Sequence, residues 1–394
     1  MFYWEIDHVN CKKKRILFLT HGSNTGSEHT LFNLINNLDK TYYEVILLTR
    51  YTEYFIHNTV LADFKYSIEG ILTNRDIVKK IRDRLFYHKN DCFPFNEYLT
   101  NIIKIHKPDL IYVNSLTLPA YFDCLIANKI PVIFHGHSLK NYLDEFPVGL
   151  LIKRIKTADL FISVSESQKQ AVLMIALPGL IKVLNPAINL KELTPDHEMK
   201  IKTRLEHLIP VDAFVWSMAS VYFNENKSPV RFIELAYQII QNDNRPVYFQ
   251  WIGGNLDDPL CRKAMDLAIS LNIDSKIHFT GFVSRSQYLK LLNATDAFLL
   301  VSIEESFSIV SAEAIALGKP VLSSDCKGIR EFITKFNGVI VPGNAMDQLA
   351  SAAIEMMQSI SYYDSEVMFD SVKHLDISII GKVWESILSA NFGH

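Results

Sequence analysis

The segment FLLVSIEESFSIVSAEAIALGKP, residues 298–320, has the pattern of a strand, a polar loop and a helix. Residues 298–302 form an apolar run typical of a buried strand, and residues 303–308 are mostly polar. Residues 309–317 then place apolar side chains at helical spacing before Gly318. Because the first amides of a helix lack partners within it and its dipole favours an anion, this junction predicts a phosphate-binding site.

Two carboxylates frame the loop, Glu305 on the loop itself and Glu313 about one turn into the helix. If a diphosphate lay on the loop amides, Glu313 would face an attached ribose and Glu305 a group beyond the phosphates. Carboxylates accept hydrogen bonds from vicinal hydroxyls, so this arrangement favours an anion that carries sugars. The alternative is a surface loop and an amphipathic helix whose acids are merely solvated.

The pattern Glu-x7-Glu has Ser-Phe-Ser after its first acid and Glu-Ala-x-Ala-x-Gly-x-Pro-Val from its second. It resembles the donor-site signature of the family 4 retaining glycosyltransferases, the group 1 enzymes of GT-B fold. The resemblance implies an α/β fold of two doubly wound Rossmann-like domains that face each other across a cleft. It also implies a C-terminal helix that crosses back to the first domain.

The alternation of strands and helices along 394 residues supports two domains. We expect an N-terminal, acceptor-side domain over residues 1–190 and a linker over 191–211. A nucleotide-sugar-binding domain is expected over 212–360, and a helical segment over 361–394 that packs on the first domain. Trp384 lies on the apolar face of this last segment.

In the first domain, a predicted strand runs into a turn that carries Gly26 and Ser27. The resemblance implies that this turn approaches the donor diphosphate, whereas the residues alone also fit a plain strand-to-helix turn. Another strand, predicted over 131–134, leads to His135 and His137. The resemblance matches His135 to a histidine that reaches the donor sugar, and the surrounding sequence offers no further ligands for a metal.

In the second domain, the resemblance implies an arginine and a lysine that hold the diphosphate. The chain has Lys227 at one of these positions but Ser220 at the other, and a serine carries no charge. We therefore expect slow turnover, or Lys227 alone stabilising the leaving group, or substitution by Arg285 or Lys327.

Further nucleotide contacts are expected at strand ends and along the central loop. Glycines at strand ends let a ligand approach the backbone, and the resemblance places the base near the main chain after Gly281. The expected residues, besides those above, are Gly253, Phe282, Val283, Phe307, Ser308, Ile309 and Val310.

Composition excludes several other classes of protein. The five cysteines form no Cys-x-x-Cys pair, so we expect no zinc site. Because no run of 18 apolar residues and no amino-terminal signal is visible, we expect a soluble cytoplasmic protein.

The charge differs between the two halves of the chain. Residues 1–190 hold 22 basic against 18 acidic side chains, and residues 191–394 hold 18 against 25. The basic runs 12–15, 79–84 and 153–156 could contact the inner face of a membrane or an acidic glycan, or could be solvated; no nucleic-acid partner is expected.

The resemblance implies transfer of a hexose from a nucleoside diphosphate sugar to a glycan or lipid-linked saccharide. We take UDP-glucose or another UDP-hexose as the donor, and no separate cofactor or metal is expected. Two alternatives remain open. One is a nucleotide-sugar epimerase of the same architecture, and the other is a binding protein that has lost catalysis.

Overall fold

The structure, a computed structural model, describes most of the 394-residue chain. The described residues are 13–21, 25–51, 68–72, 95–118, 129–343 and 345–393. Within them, no helix combines the length and the apolar composition needed to cross a bilayer.

The chain divides into two compact units. The first comprises Met1–Ser163, Ala171–Leu184 and Gly381–His394, and the second comprises Val164–Gln170 and Asn185–Ile380. The crossing between Leu184 and Asn185 lies six residues before the expected boundary at 190. Residues 164–170 belong to the second unit. Of the C-terminal segment 361–394, only the part from Gly381 onward belongs to the first unit.

The first unit contains a seven-stranded sheet in the order β3-β2-β1-β4-β5-β6-β7, in which all paired neighbours are parallel. The strands are β1 (Lys14–Thr20), β2 (Tyr43–Tyr51), β3 (Ile68–Leu72), β4 (Leu110–Val113), β5 (Val132–Gly136), β6 (Leu160–Ser163) and β7 (Ile181–Val183). Among the described residues, the helices up to β7 are α1 (Gly26–Asn36), α2 (Phe95–His106), α3 (Lys140–Leu143), α4 (Val148–Thr157) and α5 (Glu166–Leu173). Every residue of β4, β5 and β6 is buried, as expected for parallel strands covered on both faces.

The second unit contains a six-stranded parallel sheet in the order β10-β9-β8-β11-β12-β13. Its strands are β8 (Phe214–Ala219), β9 (Val247–Ile252), β10 (Ile277–Phe279), β11 (Ala297–Leu300), β12 (Val321–Ser324) and β13 (Gly338–Val341). The helices from here to the end are α6 (His197–Glu206), α7 (Pro229–Asn242), α8 (Pro259–Ser270), α9 (Arg285–Asn293), α10 (Ile309–Ala316), α11 (Met346–Gln358), α12 (Ser365–Val372) and α13 (Ile377–Phe392). The predicted α/β class with two doubly wound units is confirmed.

Each sheet has a point at which its strand order reverses. In the first sheet the chain builds outward from β1 on one side and then resumes with β4 on the other. In the second sheet β8 and β11 have the same relation. Ligands of such sheets bind beyond the carboxyl ends of the strands at this switch point, so the loops after β1, β4, β8 and β11 are where a site is expected.

The C-terminal segment, expected to be helical over 361–394, consists of the two helices α12 and α13. Asp364 caps the start of α12 by accepting hydrogen bonds from the amides of Glu366 and Val367. A 3₁₀ turn at Lys373–Leu375 then breaks the helix before α13. The predicted return to the first unit is confirmed, because the fully buried Trp384 packs with its ring centroid 6.1 Å from that of Phe18.

Candidate donor site

The loop after β11 leads into α10 through a serine with unusual backbone geometry. Ser308, the N-cap of α10, has φ 83° and ψ 79°, a left-handed conformation that a non-glycine residue rarely adopts. Its hydroxyl lies 2.8 Å from that of Ser311 and, within the described structure, makes no capping bond to the amides of the first turn. The start of α10 therefore has the free amides and positive dipole end predicted for an anion site.

A second helix begins beside this loop. Asn226 holds the two segments together, because its side chain donates to the Glu304 carbonyl oxygen at 2.8 Å and accepts from the Glu304 amide at 2.9 Å. Two residues later, Ser228 caps α7 with φ 53°, again left-handed. Lys227 thus lies at the start of one helix and is fixed against the loop that leads to another.

The two acids of the loop each meet a lysine. The Nζ of Lys227 is 2.5 Å from Oε1 of Glu305, whose side chain is 10% exposed. The Nζ of Lys327 is 2.6 Å from Oε1 of Glu304, whose side chain is 7% exposed. Predicted Lys227 and Glu305 are therefore in direct contact, and an incoming phosphate would compete with Glu305 for the ammonium group.

Glu313 has two partners that the sequence pattern does not indicate. Its Oε1 is 2.6 Å from Nη2 of Arg285, and its Oε2 accepts a hydrogen bond of 2.7 Å from the Tyr288 hydroxyl. Burial disfavours the charged guanidinium, but the Glu313 carboxylate outweighs it and raises the pKa of Arg285 above its usual value. Burial, with the charge of Glu313, also raises the pKa of Tyr288, so its hydroxyl stays a donor.

Two of the expected nucleotide contacts, Ser220 and Gly253, lie together where β8 and β9 end. The Ser220 amide donates to the Ile252 carbonyl oxygen at 3.0 Å, and the Ser220 hydroxyl donates to the Tyr222 carbonyl oxygen at 2.8 Å. Gly253 has φ 99°, and a Cβ there would lie 2.6 Å from the Ser220 carbonyl oxygen. Glycine is thus required for this close approach, whatever it contributes to a ligand.

The other expected contact residues differ in how far their side chains are exposed to solvent. The Phe282 side chain is 63% exposed, and Val283 is half-buried against the core. Phe307 is buried against Phe332, with ring centroids 4.8 Å apart, so its role in the loop is to pack rather than to present its ring to solvent. The half-buried Ile309 and Val310 open α10 and contribute amides to its first turn.

In the first unit, hydrogen-bonded polar side chains lie at the switch point of the sheet. The Asn114 side chain, beyond β4, donates to the Ser27 carbonyl oxygen at 3.1 Å, and its Oδ1 lies 2.9 Å from Nε2 of His137. Burial and the nearby His21 lower the pKa of His137 to about 3, so its imidazole is neutral. Ser27 and the exposed Gly26 open α1, and residues 22–24 before them lie outside the described part.

His135 does not follow its strand, as the sequence interpretation assumed, but lies inside it. The strand β5 extends to Gly136, which points the His135 side chain into the core at 0% exposure. Its Nδ1 is 2.7 Å from the Tyr112 hydroxyl, and burial lowers its pKa well below the usual value. His137, not His135, is thus the histidine beyond the carboxyl end of β5; the sugar contact predicted for His135 stays a prediction.

The basic runs of the first unit are largely occupied within it. Lys14 donates to the carbonyl oxygens of Phe392 and Gly393, and Arg15 to that of His106 at 2.6 Å. Arg154 is 3% exposed and donates to the Leu116 carbonyl oxygen at 2.7 Å. The run 79–84 lies outside the described residues, and membrane contact stays a prediction.

A cavity of about 520 Å³ lies at the opposite edge of the second sheet, beside the first residues of β8 and β9. Among its lining residues, Lys200 and Arg204 are both paired with Asp296, at 2.5 and 2.7 Å. The Arg204 guanidinium also donates to three carbonyl oxygens. These cations bind the protein itself, and the cavity is remote from the carboxyl ends of the strands.

Sequence reasoning missed Asn226, Glu304, Tyr288 and Tyr112. Asn226 and Glu304 directly precede the predicted Lys227 and Glu305, so adjacency to them was an available signal. Tyr288 is 25 residues from Glu313, and no spacing rule connects the two.

Comparison with known protein families agrees with this geometry. A family model described as "Glycosyl transferases group 1" matches residues 202–364, and one described as "Glycosyltransferase Family 4" matches residues 24–192. Together the two models cover both units. The structure of Anabaena HepE in complex with UDP and glucose superposes with a TM-score of 0.75 over 96% of this chain and 100% of that one, at 17% identity. The fold is thus that of the GT-B glycosyltransferases.

Curated relatives match over part of their length. A D-inositol 3-phosphate glycosyltransferase of Streptosporangium roseum is 25% identical over 198 residues, which are 48% of this chain and 45% of the relative. An N,N'-diacetylbacillosaminyl-diphospho-undecaprenol alpha-1,3-N-acetylgalactosaminyltransferase of Campylobacter jejuni is 28% identical over 201 residues, half of each chain. The matched region thus spans about half the length of these relatives. With both family models matched, the chain belongs to the group 1, family 4 glycosyltransferases.

Proposed function

We propose that this protein is a retaining glycosyltransferase that moves a hexose from a nucleoside diphosphate sugar to a hydroxyl of a glycan or lipid-linked saccharide, as in the synthesis of cell-envelope or exopolysaccharide. The observation that carries the proposal is the convergence, at the switch point of the second sheet, of Lys227, the first amides of α10, and two carboxylates. A cation and free amides suit a diphosphate, and carboxylates suit the hydroxyls on either side of it.

In this proposal the donor lies along the loop between β11 and α10. The diphosphate binds the amides at Ser308–Val310 and the Lys227 ammonium, the ribose binds Glu313, and the hexose lies nearer Glu305. UDP-glucose is the proposed donor. Membership of the family and the carboxylate at Glu313 favour a nucleotide sugar in general, and the complex of HepE with UDP and glucose makes UDP-glucose the first compound to test.

The proposed chemistry breaks the bond between the anomeric carbon and the diphosphate oxygen and forms one to the acceptor oxygen on the same face. The acceptor proton passes to a phosphate oxygen of the leaving nucleoside diphosphate, so no protein base is required. The charge that develops on the leaving group is stabilised by Lys227 and the α10 amides. To do this, the Lys227 Nζ must exchange its contact with Glu305 for a phosphate oxygen.

The test is incubation of the purified protein with UDP-, GDP- and ADP-sugars in the presence of EDTA, with and without a lipid-linked saccharide fraction. We expect release of one nucleoside diphosphate that is faster with acceptor, and a product with the anomeric configuration of the donor. Conversion to an isomeric nucleotide sugar would instead indicate an epimerase. Tight binding without turnover would indicate a binding protein, with Ser220 as the first residue to examine.

A further inference from the structure

Arg285 links the donor site to a segment near the start of the second unit. Its Nη2 contacts Oε1 of Glu313 at 2.6 Å, and its Nε contacts Oε2 of Glu192 at 3.2 Å. Glu192 is itself held by the Asn189 side chain, which donates to Oε1 at 2.7 Å. The guanidinium is therefore fixed from two directions, and its carbon lies 5.2 Å from the centre of the Tyr288 ring.

The Glu313 end of this bridge is buried, and the Glu192 end is open to solvent. The Glu313 side chain is 6% exposed, whereas those of Glu192 and Arg285 are 43% and 46% exposed. An exposed ion pair is screened by water and contributes little, but a buried carboxylate that loses its cation is left with an uncompensated charge. The contact that matters is therefore the one between Arg285 and Glu313.

The two partners of Glu313 leave part of its carboxylate available. An ionised carboxylate has about four acceptor positions, and Arg285 and Tyr288 each occupy one. The remaining positions are enough for a pair of vicinal hydroxyls. The partners also restrict rotation of the carboxylate, which removes part of the entropic cost of ordering it around a ligand.

We propose that Arg285 is a positioning residue of the donor site, which with Tyr288 fixes the orientation of the Glu313 carboxylate for the two ribose hydroxyls of a nucleoside diphosphate. This inference rests on the proposed function and assigns the residues that prepare its ribose contact. Arg285 acts through Glu313 and does not substitute for the charge absent at Ser220.

The test compares R285M with R262M in the otherwise intact chain. Arg262 lies on α8 of the same unit and forms an exposed ion pair with Asp257 at 2.7 Å, so R262M removes an arginine without touching the site. We expect R285M to weaken the binding of UDP about tenfold, the usual consequence of losing a hydrogen bond to a charged group, and R262M to leave it unchanged. The same loss should appear in KM for the donor, with kcat nearly unaffected.

Conservative replacements separate positioning from general damage to the fold. R285K should recover part of the affinity, and Y288F should lose less than R285M. Thermal unfolding of each variant checks that it folds.

The outcomes distinguish the two proposals. If wild type binds UDP and R285M binds it equally well, Arg285 has no positioning role and the proposed function stands. A fall in kcat alone, with UDP affinity retained, would also overturn the inference, since it would place Arg285 at the reacting phosphate. If wild type binds none of the nucleoside diphosphates, both proposals fail.

Discussion

The switch points of the two sheets have the same topology but carry different kinds of side chains. In the second unit, three carboxylates each contact a cation: Glu305 contacts Lys227, Glu304 contacts Lys327, and Glu313 contacts Arg285. In the first unit, the loops after β1 and β4 meet a group joined by neutral hydrogen bonds, in which Asn114 connects Ser27 to His137. One sheet end is built from ion pairs, and the other from hydrogen-bonded polar side chains, which include the buried Glu28 that accepts from the Thr20 hydroxyl.

This difference indicates which sheet end is prepared for an anion. Paired charges can be exchanged, because a phosphate that takes Lys227 from Glu305 replaces one strong contact with another. Neutral imidazole and amide groups offer no such exchange, and burial opposes charging them. The comparison therefore favours the proposed placement of the diphosphate in the second unit.

The largest effect is expected from removing the cation of the charged site. Lys227→Met should lower kcat about 100-fold or more, the usual consequence of removing one group that stabilises a leaving or developing anion. Steady-state kinetics with the donor identified by the sugar panel measure it. Lys263→Met, at an exposed position on α8, is the matched control. Equal activity of the two variants would mean that the charged site does not hold the diphosphate.

In the first unit, the largest effect should be on the free energy of unfolding. Tyr112→Phe removes the hydroxyl that lies 2.7 Å from the fully buried His135 ring and leaves Nδ1 of that ring without this partner. We expect a loss of about 1–3 kcal/mol in the free energy of unfolding of the first unit. Urea unfolding followed by the tryptophan signal tests this, with Tyr142→Phe on the half-exposed surface as the control. A stable variant would show that the His135 contact contributes nothing to the fold.

A third prediction concerns Lys319, a buried cation outside both sites. Burial, together with the charges of Lys200 and Arg204, lowers its pKa to about 7, although Asp296 partly opposes this. The folded state therefore releases this proton at lower pH than the unfolded state, and stability should rise from about pH 7 toward the usual lysine pKa of about 10.4.

Lys319→Met should consequently stabilise the protein, by roughly 1 kcal/mol or more below pH 7, with a gain that shrinks as the pH rises above 7. Unfolding midpoints measured across this pH range provide the test. A gain that is constant with pH, or a loss, would contradict the lowered pKa.

The smallest effect is expected of His137 on the pH dependence of kcat/KM. Because burial and His21 lower the pKa of His137 to about 3, its ring stays neutral over the ordinary working range. Between about pH 5 and 8, where a free histidine of pKa about 6.5 would titrate, kcat/KM of wild type and of His137→Gln should depend on pH in the same way. A pH dependence that is present in wild type and lost in His137→Gln would show that His137 titrates during the reaction.

The sequence predicted the second unit better than the first, for a physical reason. Its site depends on a contiguous strand, loop and helix, so Glu305, Ser308 and Glu313 could be placed by counting along one segment. The α/β class also follows from periodicity and apolar patterning, which act locally, whereas the return of the C-terminal segment to the first unit was implied by the family resemblance.

Contacts between distant segments could not be predicted in this way. The pairing of Arg285 and Tyr288 with Glu313 joins residues more than 20 positions apart across two helices. His135 was misplaced because β5 runs two residues further than its apolar run, and the pleat turned its ring inward. Strand ends are set by pairing with neighbouring strands, here with Ile162 and Ser163 of β6, which a single segment does not reveal.

The most direct test of the account is a crystal structure of the protein with UDP. We predict the ribose hydroxyls on Glu313, the diphosphate on the first amides of α10, and the Lys227 Nζ moved from Glu305 to a phosphate oxygen. A nucleotide bound elsewhere, or one bound here with Lys227 still on Glu305 and no contact to Glu313, would contradict the assignment of the charged sheet end to the donor.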